Sequence, residues 1–297
     1  MTITTALYTT YYPAVDPYLP KWRDSLLSQT DRDVVIVVGL DGESADRVQK
    51  LLGPNVSPTF FEAMPGETPI TLRSRVLERI TAEFEAVIMS DMDDILLPTR
   101  ISSAKYMLRN SDLNCCAMQV SKDDALVADA LFNPCVRREP FRSNVFGLTN
   151  TAWRSELLAK CLPVTAEVPI MDWLLATRAW VGSSKLITYD PVPRVVYRQH
   201  ANSVARIIPP FSAEEVLQAS KLVSTHYEVV MKETGHRLLP LTGFLTDARD
   251  NVENFISAVT TNDVILFDYV EGLNKLPARH VWWDCVAHPE LEGIWKH

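Results

Sequence analysis

Asp91, Asp93 and Asp94 stand within four consecutive positions, directly behind the apolar run Ala86 to Ser90. Isolated aspartates titrate near pH 4, so all three are expected to carry charge at neutral pH. Carboxylates this close repel one another unless a cation joins them. Hard oxygen donors on a short tether suit Mg²⁺ or Mn²⁺, with phosphate oxygens and water completing the shell. Such an ion would neutralise a nucleoside diphosphate as it leaves. The plainer alternative is a polar loop that caps the next segment, and Asp123-Asp124 shows that acidic pairs come cheaply in this chain. Position separates the two. The first cluster follows a buried strand, whereas the second follows Ser121-Lys122 in a stretch that reads as loop.

The elements that must hold this cluster can be read from pattern. Residues 3–9 predict a first strand, and Leu19, Trp22, Leu26 and Leu27 give residues 17–29 a helical stripe. Asp33 to Val38 is the β-branched run of a strand buried on both faces in a parallel sheet, and Asp41-Gly42 ends it. Thr68-Pro69 reads as an N-cap with proline in the first helical position, and Leu72, Val76, Leu77 and Ile80 form the apolar stripe behind it. Strand, helix, strand, helix, strand implies βαβ units. Ligands of such sheets bind beyond the carboxyl ends of the strands, which is where the three acids lie.

Further along, strands are expected at Asn114 to Val120 and Val145 to Ala152, then a helix from Ser155 and another over Asp172 to Val181. Two short strands follow, near Leu186 to Tyr189 and Arg194 to Tyr197. From Pro209 the pattern changes. Ser212 and Glu215 make a capping box, Val216, Ala219, Val223, Tyr227 and Val230 a helical stripe, and further helices are expected over Asp247 to Val259 and Asn262 to Leu273. The expected fold is α/β, a mostly parallel sheet flanked by helices over residues 1–208, with a helical appendage over 209–297.

Composition narrows the function classes. The chain has 297 residues, 47% hydrophobic and 22% charged, which is ample for a folded core. A formal net charge of -8 argues against a nucleic-acid binder, which carries a basic stripe. No apolar run approaches the 18 residues of a membrane span, and the N-terminus lacks the features of a secretory leader. Five cysteines without paired spacing argue against a zinc knuckle or a disulfide framework. The expectation is a cytoplasmic protein, with scope for peripheral contact at the inner face of the membrane through the helical tail.

Three stretches together resemble the family 2, inverting, GT-A-fold glycosyltransferases over roughly residues 1–206. Asp33–Ser44 (DVVIVVGLDGES) is similar to the family's second strand and its acidic, glycine-containing turn. Leu72–Pro98 (LRSRVLERITAEFEAVIMSDMDDILLP) is similar to its arginine-bearing helix, third strand and DxD motif. Ile170–Val204, with Asp172-Trp173 and the Tyr-Arg-Gln-His-Ala-Asn segment, resembles the acceptor side of rhamnosyltransferase-like members. Two departures fall in the nucleotide-reading region: Tyr8-Thr9-Thr10-Tyr11 replaces Pro-Thr-Tyr-Asn, and Gly39-Leu40-Asp41-Gly42 lacks the second adjacent aspartate. They leave the base open, with UDP or dTDP donors the default.

The resemblance implies that Asp93 binds the metal, Mn²⁺ or Mg²⁺, and that Asp91 contacts the ribose or the metal shell. Asp41 would face the base, with Thr9 lining the same pocket through its backbone. Arg75, rather than Arg73, matches the arginine that approaches the nucleotide, against the alternative of a solvated helix face. Asp172 is implied as the general base, taking the proton of an attacking hydroxyl; it could instead be a helix N-cap. His200 would bind the metal or donate to phosphate, with Arg198 and Arg206 adding charge there. Trp173 is the expected acceptor-binding platform, while Trp282-Trp283 reads as an anchor for the tail or an interface. The implied acceptor is a glycan or lipid-linked glycan. Two rivals stand beside this: a sugar nucleotidyltransferase, which normally needs a glycine-rich loop that Tyr8 to Pro20 does not contain, and a non-catalytic carbohydrate-binding or assembly protein on the same fold.

Overall fold

The computed structural model describes residues 3–122, 124–135, 141, 143–182, 186–201, 203–233 and 238–296. The fully buried strand β1 (Thr5–Tyr11) leads to α1 (Leu19–Leu27), which sets Leu19, Trp22 and Leu26 into the core. Then come β2 (Val35–Leu40), α2 (Ala45–Leu52), β3 (Thr59–Glu62), α3 (Pro69–Glu83) and β4 (Ala86–Met89). These four strands lie parallel in the order β3-β2-β1-β4. Thr68 caps α3 as its sequence implies. Its hydroxyl accepts from the Thr71 amide while the Thr71 side chain accepts from the Thr68 amide, so two otherwise orphaned donors are satisfied. Neither α2 nor β3 is foreshadowed by periodicity, being only eight and four residues long.

The second half of the sheet is mixed. It comprises β5 (Ile95–Leu96), α4 (Arg100–Met107), β6 (Ser111–Lys122), β7 (Ala125–Phe132), β8 (Thr151–Arg154), α5 (Ser155–Cys161), α6 (Met171–Gly182) and β9 (Leu186–Gln199). β8 runs antiparallel between β4 and β6, and the long β6 and β9 pair in parallel. Only Thr151 and Ala152 of the strand expected at Val145 to Ala152 are in β8. Asn150 folds the rest into a turn, accepting from the Gly147 amide at 2.7 Å and donating to Val145 O at 3.1 Å. The two short strands expected after α6 are one strand. Pro191 and Pro193 break its ladder, and the register shifts where Asp190 opposite Cys116 gives way to Pro193 opposite Ala117.

Four helices follow: α7 (Ala213–Lys232), α8 (Thr242–Thr261), α9 (Asp263–Lys275) and α10 (Glu292–Trp295). Ser212 and Glu215 cap α7 reciprocally. Val223, Tyr227 and Val230 of α7 join the same buried cluster as the strands, together with Leu245, Val252 and Trp282. A smaller cluster gathers Val216, Phe255, Val259, Tyr269, Leu273 and Trp295. The result is an α/β architecture whose longer pairings are parallel, flanked by helices. Among the described residues no helix is long and apolar enough to cross a membrane.

Candidate active site

A cleft of about 290 Å³ opens where β1 and β4 end, lined among others by Thr10, Tyr12, Arg73, Asp91, Asp93, Asn144 and Asp172. Parallel strands leave their last residues pointing out of one sheet edge, so the acids behind β4 and Tyr12 behind β1 meet there. Asp91 is pushed up to about 7, first by burial, then by the charges of Asp93 and Asp172, against the pull of Arg73. Asp94, 1% exposed, is driven well above the usual carboxylate range by burial and by both neighbouring acids. Carboxylates this close, two of them raised by burial and by neighbouring charge, are a seat for positive charge.

β9 returns beside the cluster because β5 pairs with it, Ile95 opposite Val196. That register brings the Arg198 amide to Asp94 Oδ1 at 2.8 Å. The Arg198 side chain, 3% exposed, donates from Nε to Asp93 O, from Nη1 to Asp124 Oδ1 at 3.2 Å and from Nη2 to Tyr18 O at 3.2 Å. Its guanidinium also lies 4.9 Å from the centre of the Tyr18 ring. Arg198 is therefore a brace for the acid turn. Its nitrogens are committed to protein oxygens, unlike the free donor to a ligand that its sequence context suggests.

His200, two residues on, sets Nε2 3.0 Å from Asp93 Oδ2 and stacks on Tyr18 with centroids 4.7 Å apart. The two residues expected to hold a metal are thus in contact, although they are remote in sequence. Among the described residues no group of three His, Cys, Asp or Glu side chains forms a metal cage. Asn202 and Asp123 lie outside the described residues. A second hollow of about 260 Å³, lined by Lys122, His200 and Arg206, shares Ser203 with the first.

Asp172 sits in the first turn of α6, within helical geometry rather than at a cap position ahead of it. Its Oδ1 accepts from the Trp173 amide at 2.8 Å. Burial pushes its carboxyl up to about 6, opposed by the Trp173 amide, the Asn144 side chain and the charge of Arg73. A carboxylate titrating near neutrality in a cleft is suited to accepting a proton.

Four expected site residues are placed differently from the acids. Arg75 turns its fork onto Glu67, Nε to Oε1 at 2.9 Å and Nη2 to Oε2 at 2.8 Å, and donates again to Glu62 O. Of the two arginines on this helix, it is Arg73 that lines the cleft, and its Nε donates to Thr10 Oγ1 at 3.2 Å. Trp173 is 2% exposed and faces the core: its ring stacks on His226 at 4.5 Å and meets Tyr227 edge-on at 5.5 Å. The indoles that line the cleft are Trp282 and Trp283. Thr9 is buried in β1, its hydroxyl without a hydrogen-bond partner among the described residues. Asp41 follows β2 and its amide donates to Tyr11 O at 2.9 Å, beside the end of β1 rather than on the wall with the acids.

Sequence reasoning passes over Tyr12 and Asn144, and reads the tryptophan pair as a tail anchor or an interface rather than as cleft lining. Tyr12 carries the same signal as Asp91, position just past a parallel strand. Asn144 and Trp282-Trp283 carry none, because their place depends on a loop and a tail folding back.

No family model matches the chain, and no curated protein matches it. Solved structures do. One is S. aureus TarS 1-349 in complex with UDP-GlcNAc, at 13% identity and a TM-score of 0.55, covering 91% of each chain. Another is the mannosyltransferase PcManGT from Pyrobaculum calidifontis in complex with GDP-Man and Mn²⁺, at 14% identity and a TM-score of 0.60, covering 94% of this chain and 78% of that one. At such identities the likeness is one of architecture: the chain is folded like these nucleotide-sugar glycosyltransferases.

Proposed function

We propose that the chain is an inverting glycosyltransferase that moves a sugar from a nucleotide-diphosphate donor to a hydroxyl of a glycan or lipid-linked glycan. The observation that carries this reading is that Asp91 and Asp93, behind β4, and Asp172, in α6, line one cleft although they are remote in sequence. Residues 1–208 are assigned as the catalytic region and 209–297 as the helical region that closes over it.

Asp93 and His200 offer one carboxylate oxygen and one imidazole nitrogen in contact with each other, a donor set that suits Mn²⁺ or Mg²⁺. Among the described residues two protein donors converge, so diphosphate oxygens and water would complete the shell. When bound, the ion supplies charge neutralisation for the departing diphosphate. Arg198 and Asp94 hold the turn that presents Asp93. Arg73 takes the place expected of Arg75 as the cation nearest the nucleotide, and Asp41 and the Thr9 backbone are left to the base side.

In the transfer, the acceptor oxygen attacks the anomeric carbon from the face opposite the diphosphate. The new C–O bond forms as the bond to the diphosphate oxygen breaks, which inverts the centre. The acceptor proton passes to Asp172, and the electron pair of the broken bond leaves with the nucleoside diphosphate. The test is release of nucleoside diphosphate from a panel of UDP, dTDP and GDP sugars with saccharide acceptors. Release that EDTA abolishes and Mn²⁺ restores is expected. Pyrophosphate formed from nucleoside triphosphate and sugar phosphate would instead favour the nucleotidyltransferase.

A further inference from the structure

We propose that Trp283 is the acceptor-binding residue of this cleft, its indole being the wall on which the acceptor's sugar ring lies while a hydroxyl faces Asp172. This rests on the transferase reading above and adds to it the residue that selects the acceptor.

The backbone gives the first argument. Trp283 has φ 65, and His280 and Ala287 in the same tail segment have φ 50 and 49. A bulky L residue in the left-handed region is strained, and such an outlier persists only where its surroundings hold it. Its surroundings do hold it. Trp282 donates from Nε1 to the Tyr197 hydroxyl at 3.1 Å and packs on Phe132 at 4.2 Å. Its six-membered ring fills the space over Gly147, where a Cβ would come within 2.4 Å of it. On the other side, the Val286 amide donates to Trp283 O at 3.0 Å. Trp282, though it also lines the cleft, is committed to Tyr197, Phe132 and Gly147 and fixes the tail, and the strained residue beside it lines the cleft too.

The second argument is connection to the base. Trp282 forms an isolated antiparallel bridge with Asn144. The Asn144 side chain donates to Asp172 while its Oδ1 accepts from the Phe146 amide at 3.1 Å. One chain of contacts therefore runs from the tail to the proton acceptor, and Trp283 is its next residue.

Surface chemistry is the third. The Trp283 Nε1 is buried without a partner among the described residues, so the ring meets the cleft through carbon. Ile170, Leu148 and Leu222 line the cleft with it, as does Val204, 82% exposed at the rim. An apolar aromatic wall with a carboxylate nearby matches a saccharide, whose C–H face packs on an indole while its hydroxyl rim stays free for hydrogen bonds.

The test is calorimetry on the full chain with two ligand sets: UDP, dTDP and GDP with Mn²⁺, and methyl and p-nitrophenyl glycosides of hexoses and deoxyhexoses. The variants are Trp283→Gly, which removes the indole and relieves the left-handed backbone, Trp283→Phe, and Trp180→Ala as an exposed tryptophan outside the cleft. At least one glycoside should bind the wild type. Its affinity should fall tenfold or more in Trp283→Gly, recover to within about threefold in Trp283→Phe, and hold in Trp180→Ala, with nucleotide affinity unchanged throughout. No glycoside bound by the wild type, or a Trp283→Gly affinity within twofold, overturns the inference while nucleotide binding leaves the transferase reading standing. Trp283-dependent glycoside binding without any nucleotide binding does the reverse: it keeps the indole site and removes the transferase.

Discussion

His200 Nε2 lies 3.0 Å from Asp93 Oδ2, and the Tyr18 ring backs the imidazole at 4.7 Å. An imidazole and a carboxylate held in this way leave little freedom to either, so each should depend on the other in gripping a dication. Asp93→Asn and His200→Ala should each lower turnover roughly 10²–10³-fold, the usual cost of one electrostatic stabiliser. Both should also weaken Mn²⁺-dependent nucleotide binding by calorimetry. Retention of full Mn²⁺ dependence in both variants would remove them from the metal site.

Asp172 should behave differently. Asp172→Asn keeps shape and hydrogen bonding but removes basicity, so turnover should fall about 10²–10⁴-fold with nucleotide affinity intact. The base works only when ionised, and burial holds its carboxyl up at about 6. Wild-type turnover should therefore rise with pH through about 6 and level off above it, an acid limb that Asp172→Asn flattens. A pH–rate profile on both proteins decides it.

Arg198 is expected to matter for stability as well as for activity. Arg198→Ala leaves Asp93 O and Tyr18 O without their donor, which should cost about 1–3 kcal/mol in denaturant unfolding. Arg198→Lys should not restore it, because a single ammonium cannot serve oxygens on three sides as the planar fork does.

His226 is fully buried against Trp173, and burial alone depresses its pKa from 6.5 to about 3. Between those values the unfolded chain binds a proton that the folded chain refuses. Stability is therefore whole above about pH 6.5 and is lost as pH falls, by about 2 kcal/mol at pH 5. His226→Phe should remove that part of the acid sensitivity. Urea unfolding at pH 7.5 and pH 5 measures it: an unchanged difference between the two pH values would show that His226 is not the group responsible.

Legibility in the sequence followed locality. The acid cluster can be read because a buried strand and its carboxyl end are both written within ten residues. Thr68-Pro69 and Ser212 with Glu215 can be read because a helix cap is a matter of three or four neighbours. Arg73 and Arg75 cannot be ranked in this way, since they lie about 200° apart round one helix and Glu67, outside the helix, decides which is drawn away. Trp173 misleads for a related reason. Adjacency to Asp172 fixes its backbone, but helical geometry sends consecutive side chains about 100° apart, one to the cleft and the next to α7. Trp282 and Trp283 reach the cleft only through a tail that returns across the whole domain, and no local pattern records that.

The ladder joining β5 to β9 is only two residues deep, Ile95 with Val196 and Leu96 with Val195, yet with the Arg198 brace it aligns the acid turn with His200. In a strand, moving the pairing by one residue turns every side chain to the opposite face. A single-residue deletion at Ile95 would thus shift the acids against Val195 and Val196 and split Asp93 from its imidazole, while β6 and β9 keep their own register. The catalytic assembly can be dismantled by an indel that scarcely touches the hydrophobic interior, which makes this short splice the natural place to uncouple folding from chemistry.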